Sequence, residues 1–306
     1  MTRILTALFA IVAGTAALCA QTFRVAVEAV RVDVLVTDGN QPIAGLTAAD
    51  FELLDSGVLQ QIDSLGVEDV PLSVLFVLDT SYSMSGAPLQ HLKDAASAVV
   101  DLLAVQDRAA VLTFAEFVTL RSGWTADHAA LKRAIATAQA LGATSLHDAS
   151  YAALTMRDAA PARPLVLIFS DGNDTSSWLP GQSVLDIASR SEAVVYGVSL
   201  VSANAVRPGF RLDFSSGLQP VSPRFAGTAL LDGFLSTLAA GSGGKYLDAE
   251  RSEKLRDTFV RIVQEFRSRY LLSYRAQGVS ANGWHPIEVK LKNKSGKITA
   301  RRGYLR

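Results

Sequence analysis

The sequence predicts an α/β protein: a doubly wound, mostly parallel sheet covered by helices, joined to a small all-β module made by the two ends of the chain. Three observations carry this. Residues 70–268 alternate apolar runs of strand length with helical periods, as a parallel sheet wound by crossover helices requires. Residues 72–78 form a nearly unbroken apolar run, the mark of a strand buried on both faces. The flanks, 21–69 and 269–306, alternate with period two between turn residues.

Composition sets the frame. With 306 residues, 49% hydrophobic, 19% charged and a formal net charge of zero, the chain has a globular composition. It is long enough for one large domain and a small one, and neither disorder nor nucleic-acid binding is indicated. Arg3 precedes an apolar run over 4–18 and small residues ending at Ala20-Gln21, the layout of a secretory signal over 1–20 with cleavage after Ala20. An uncleaved membrane anchor is the alternative, but the run is short for a span. Cys19 is the only cysteine and would leave with the signal, so the exported chain is expected to have neither thiol nor disulfide and no membrane span. A lipoprotein beginning at Cys19 would want a small residue where Leu18 stands. The expected location is secreted or periplasmic.

Taken in order, residues 23–37 place valines at 25, 27, 30, 32, 34 and 36, which predicts one long strand or two collinear ones, ended by Asp38-Gly39. Short strands between turns follow to Val67. A helix running from Leu89 has apolar residues at 92, 95, 96, 99, 100 and 103 on one face, with Pro88 suited to its first turn. A strand over 109–114 and an edge strand over 117–121 come next, then a helix opened by Asp127 and stopped by Gly142. Ser145 is expected to cap the following helix in a capping-box variant with Asp148. Strands at 165–170, 193–200 and 245–248 alternate with helices at 181–191, 230–240 and 252–267. Residues 241–244, Gly-Ser-Gly-Gly, read as a turn between helix and strand. Residues 202–228 lack a helical period and carry Pro208, Pro220 and Pro223, a long loop that is either functional or mobile. The end of the chain reads as three strands, over 270–274, 284–292 and 298–301. The flanks supply only about three strands each, too few to close a core separately, so they are expected to pack together.

Chemistry concentrates where the first buried strand stops, at Asp79-Thr80-Ser81-Tyr82-Ser83. In open α/β sheets ligands bind beyond the carboxyl ends of the strands. One carboxylate and two hydroxyls on a tight loop offer hard oxygen ligands, which suit Mg2+, with Mn2+ and Ca2+ as weaker candidates. Alone the pattern is weak, because Asp and Ser also cap helices and fill turns. Two further pieces stand in the right order: residues 142–149, Gly-Ala-Thr-Ser-Leu-His-Asp-Ala, and Phe169-Ser170-Asp171-Gly172 at the end of a second apolar strand.

Together these motifs resemble the metal-ion-dependent adhesion site of the von Willebrand factor type A (vWA) domain. The resemblance implies a divalent metal held by Asp79, Ser81, Ser83, Thr144 and Asp171, with one position open to a ligand. The flanks resemble those of exported vWA-related proteins typical of acidobacteria: the alternating valine strand, Leu46-Thr47 leading to Asp50-Phe51, Arg269-Tyr270 with Leu272 and Tyr274, and a closing Arg301-Arg302-Gly303-Tyr304. The implied organisation is a signal over 1–20, a β segment over 21–69, a vWA domain over 70–268 and a β segment over 269–306. The implied function is an exported, metal-dependent protein-binding module that recognises an Asp or Glu of its partner. A structural envelope protein and a metal-dependent hydrolase are the alternatives.

An enzyme is not expected. No G-x-S-x-G elbow surrounds the serines, no Walker-type glycine loop occurs, and Ser81 stands where an Asp-x-Asp phosphotransferase would need its second acid. His91, His128, His147 and His285 are scattered; only His147 lies near the site, where packing or helix capping is its ordinary role. Trp178 follows a polar loop beside the site, either as a binding anchor or packed on the neighbouring helix. Asp174 would neighbour the ligands or cap a helix. Residues 251–306 carry 14 Lys and Arg against four Asp and Glu, a basic end suited to an anionic envelope surface or to the chain's own acidic body.

Overall fold

The computed structural model describes residues 29–67, 70–170, 174–200, 233–249 and 251–306. Residues 1–20, read as a secretory signal and holding Cys19, the loop expected over 202–228 and Asp171 lie outside the described residues.

The central sheet grows from β6 (Leu72–Asp79), all eight residues of which are buried. Parallel neighbours flank it: β7 (Arg108–Phe114) on one side and β9 (Arg163–Ser170) on the other, then β10 (Val194–Leu200) and β11 (Tyr246–Ala249). The one antiparallel member is the edge strand β8 (Val118–Thr125), paired with β7. Alternation along β6 divides the core in two. Val74, Phe76 and Leu78 face the layer of α1 (Ala87–Leu102), α2 (His128–Ala136) and α6 (Leu255–Arg267). Leu75 and Val77 face α3 (Leu146–Thr155), α4 (Gly181–Ala188) and α5 (Gly233–Ser242). Each fully buried aliphatic or aromatic side chain contributes about 1.5–3 kcal/mol, so the two faces, not local propensity, hold the helices.

Two helix ends differ from expectation. The helix opened by Asp127, whose carboxylate accepts from Ala130 N at 2.9 Å, stops at Ala136 and not at Gly142. The intervening backbone is used elsewhere: Leu141 N donates to Thr80 O at 2.8 Å, and Gly142 O accepts from Tyr82 N at 3.0 Å. Gly142 does adopt a left-handed φ of 77°, but in this loop. Ser145 occupies the N-cap position of α3 without capping it; its hydroxyl donates to Ala115 O at 2.6 Å. The cap comes from a distant loop. His147 N donates to Asp174 Oδ1 at 3.1 Å and Asp148 N to Ser177 Oγ at 3.1 Å. Asp148 in turn accepts from Trp178 N and Leu179 N, both at 2.9 Å.

The flanks interleave. From the amino-terminal side come β1 (Val30–Asp38), β2 (Gln41–Pro42), β3 (Phe51–Asp55), β4 (Val58–Gln60) and β5 (Ile62–Gly66). From the other end come β12 (Tyr270–Tyr274), β13 (Trp284–Leu291), β14 (Lys297–Thr299) and β15 (Gly303–Leu305). One sheet runs β14-β1-β12-β5 with β2 beside β1; the other runs β15-β13-β3-β4. Both are antiparallel, and between them lie Val32, Val34, Val36, Phe51, Leu53, Leu272, Tyr274 and Ile287. The strand β15 is one more than the sequence predicts, because only Tyr304 and Leu305 mark it as apolar. Several cations of the basic end turn onto carboxylates of the chain itself: Arg267 onto Asp107, Arg275 onto Asp63 and Lys294 onto Asp50.

Candidate metal centre

The site is assembled at the carboxyl edge of the central sheet by the loop that follows β6, the loop that runs from α2 to α3, and the end of β9. Asp79 ends β6 and is fully buried. Its Oδ1 accepts from Ser81 N at 2.8 Å and its Oδ2 from Ser170 Oγ at 2.7 Å, so the carboxylate is fixed by its own loop and by the end of β9. The bond to Ser81 N turns the chain tightly enough to bring Ser81 Oγ within 3.0 Å of Ser83 Oγ. Ser81 is buried; Ser83 is exposed.

Thr144 belongs to the second loop and is buried. Its N–H donates to Thr175 Oγ1 at 2.9 Å, and its carbonyl accepts from Thr175 N at 2.8 Å and Ser176 N at 3.0 Å. The bonds from Leu141 N to Thr80 O and from Tyr82 N to Gly142 O tie this loop to the first. Backbone hydrogen bonds therefore bring the loops of Asp79, Ser81, Ser83 and Thr144 to one place. Ser170 leads directly to Asp171.

These groups fit a hard divalent cation. Two hydroxyl oxygens 3.0 Å apart match the edge of an octahedron with metal–oxygen bonds of about 2.0–2.1 Å, which is about 2.9 Å. Among the described residues no cluster of three or more His, Cys, Asp or Glu suits a metal; the oxygens brought together here are the hydroxyls of Ser81 and Ser83 beside the Asp79 carboxylate. Hydroxyl ligands neutralise less charge than carboxylates do.

With this geometry the fold can be compared. It is similar to a von Willebrand factor type A protein from Catenulispora acidiphila, at 14% identity over 89% of this chain and 76% of that one, with a TM-score of 0.51. Proximal thread matrix protein 1 from the mussel byssus is similar at 18% identity over 70% of this chain, with a TM-score of 0.52. A second structure of that protein, with a zinc-occupied MIDAS motif, gives 18% identity, 71% coverage and a TM-score of 0.52. Residues 74–173 match the family model of the von Willebrand factor type A domain. Over these residues the chain carries a vWA domain. It spans about half the length of the byssus protein, 50% of that chain. No curated protein matches the sequence.

Around the centre of the vWA domain, His147 is engaged structurally. Its Nδ1 lies 3.2 Å from Leu179 O and 3.6 Å from Asp174 Oδ2, and its ring packs edge-on against Phe234 at 4.4 Å. Asp174 acts as a cap, accepting from His147 N and Ser177 Oγ. Trp178 does not pack on a helix: it is 91% exposed. Three exposed apolar residues on neighbouring loops, Tyr82, Phe117 and Leu141, were not legible as site residues. Their signal is a single large apolar residue amid small and polar ones, which becomes meaningful only when the loops are brought together.

Proposed function

We propose that the chain is an exported, divalent-metal-dependent protein-binding module of the adhesion type. Asp79, Ser81, Ser83, Thr144 and Asp171 hold Mg2+, or in its place Mn2+ or Ca2+, and an acidic side chain of a partner protein takes an open position on the cation. The observation that carries this reading is the Ser81–Ser83 hydroxyl pair, 3.0 Å apart, on the loop that buried Asp79 closes. The bound metal supplies a positive charge incompletely neutralised by its ligands, and the chain's residues orient it at the strand ends. Export is read from the leader over 1–20; among the described residues no helix is long and apolar enough to cross a membrane. An anionic envelope surface is a second partner proposed for the basic end. Enzymatic turnover is not part of the proposal: no G-x-S-x-G elbow surrounds the loop serines, and His147 turns Nδ1 to Leu179 O and its ring to Phe234.

The test is a thermal unfolding series of the full chain with Mg2+ against chelator. A ligand that binds only the folded state stabilises by about 2.7 kcal/mol at a hundred times its Kd. Asp79→Ala is expected to abolish the shift while still folding. A variant that responds to Mg2+ as the unaltered chain does overturns the site assignment.

A further inference from the structure

Trp178, Tyr82, Phe117 and Leu141 are 91%, 75%, 73% and 73% exposed, and they stand on four loops that converge on one centre. Tyr82 lies between Ser81 and Ser83. Leu141 sits on the loop held by Thr80 O and Tyr82 N. Phe117 closes the turn whose Ala115 O accepts from both Ser145 N and Ser145 Oγ. Trp178 follows Thr175 and Ser176, which donate to Thr144 O, and its own N–H is fixed on Asp148. Exposed large apolar residues scattered singly are ordinary; four that converge around one polar centre mark an interaction surface.

The charges of these loops select the occupant. Residues 80–86, 115–117, 137–145 and 174–180 contain no Lys, Arg or His. Their acids are Glu116, which is exposed, and Asp174, which is committed to capping α3. An anionic group arriving here finds no side-chain cation on these four loops, so a metal at Asp79 is the positive partner they offer it. Glu116 disfavours further acids beside it. From this we infer that the rim Tyr82, Phe117, Leu141 and Trp178 binds a partner protein presenting one Asp or Glu flanked by aromatic or aliphatic side chains. The inference rests on the metal-dependent reading for its central contact, and the rim supplies the desolvated surround that makes a single polar contact effective. Because the four rim residues are uncharged and their loops add only Glu116 and the capping Asp174, affinity with saturating metal should depend little on salt.

The experiment pans a displayed random peptide library against the full chain in Mg2+ and measures the selected peptides, synthesised with a fluorescent label, by the polarisation of that label. The expected sequences carry one Asp or Glu between apolar residues and are released by chelator. Trp178→Ser and Phe117→Ser each weaken them about tenfold, while the Mg2+-induced thermal shift stays unchanged. Acids selected among basic or polar residues, bound equally by both variants, overturn the rim and leave the metal-dependent reading standing. Peptides that bind in chelator or to Asp79→Ala overturn both. Failure to enrich beyond Asp79→Ala also overturns the proposal, as does a Mg2+-dependent dimer in sedimentation that Trp178→Ser abolishes, since the occupant is then a second copy.

Discussion

Asp55 is fully buried between the two sheets of the flanks, and four donors converge on it. Tyr274 Oη and Tyr304 Oη donate to Oδ2 at 2.8 and 2.9 Å; Ser56 Oγ donates to Oδ1 at 3.0 Å, and His285 Nδ1 lies 3.0 Å from Oδ1. Burial pushes the carboxyl up, but the hydrogen bonds from Tyr274, His285, Tyr304 and Ser56 outweigh it and hold it below the ordinary carboxylate range. Burial, then the bond to Asp55, pushes the Tyr304 phenol up to about 12. The folded chain thus keeps Asp55 ionised at lower pH, and Tyr304 protonated at higher pH, than the unfolded chain does. Stability from Asp55 is whole above the unfolded carboxyl pKa of about 3.9 and falls as pH drops through the depressed folded value. Stability from Tyr304 is whole below about 10 and is lost as pH rises through about 12. Thermal unfolding across pH should show both limbs, and in Asp55→Asn the acid limb should shrink, atop a loss of about 1–3 kcal/mol from misdirected donors. An acid limb unchanged in Asp55→Asn would reassign it to other carboxylates. This network was illegible in the sequence for a plain reason: Asp55 and His285 are separated by 230 residues on strands that only pairing brings together. Asp79, Ser81 and Ser83 were legible because their geometry is local to five residues.

Elements show a similar division between what neighbours dictate and what distance dictates. The β6 run, its acid terminus and the α1 face follow from periodicity, since burial on both faces demands an unbroken apolar strand and burial on one face demands a stripe. Helix ends do not follow in the same way, because their orphan N–H groups accept any oxygen the fold presents. The start of α3 is the instance: Asp174 and Ser177 cap it in place of Ser145. The exchange is reciprocal, so Asp148→Ala should release Trp178 N and Leu179 N and speed their amide hydrogen exchange with little change at β6. Unchanged exchange at 178–179 would mean the loop is held otherwise. The turn expected over 241–244 begins only at Gly243, because Gly241 and Ser242 end α5, and it is a stricter constraint than its sequence implies. A Cβ on Gly244 would lie 1.9 Å from Val195 O, and one on Gly243, with φ 84°, would lie 2.4 Å from Arg301 N. Gly244→Ala should therefore cost more than about 4 kcal/mol, because backbone must move on β10 for the methyl to fit. Soluble Gly244→Ala protein with an unaltered melting temperature would refute that close approach.

For the whole molecule, the question is how the flanking sheets are joined to the vWA domain. Arg163 begins β9 and is fully buried; it donates through Nε to Asp33 Oδ1 of β1 at 2.9 Å, with a second bond from Nη2. Its guanidinium also lies 4.8 Å from the centre of the Phe266 ring and donates to Phe266 O at 3.2 Å. A second guanidinium, Arg269, reaches Tyr196 Oη on β10 at 2.9 Å and Thr299 O on β14 at 3.3 Å. Both are buried cations spanning the central and flanking sheets, so separating those sheets would strand a charge away from water. A buried pair adds little over a well-packed apolar pair, but removing one partner is costly, about 3–5 kcal/mol. Asp33→Ala should therefore lower the melting temperature in a single cooperative transition that carries both the far-ultraviolet signal and the Trp284 emission of β13. Asp33→Ala combined with Arg163→Met should recover much of the loss, since the stranded charge is then gone. If Asp33→Ala instead splits unfolding into two transitions, the flanks and the vWA domain fold as separate units and the ion pair is only a latch between them. If it leaves the transition in place, Arg163 is held by Phe266 alone and the coupling runs through Arg269.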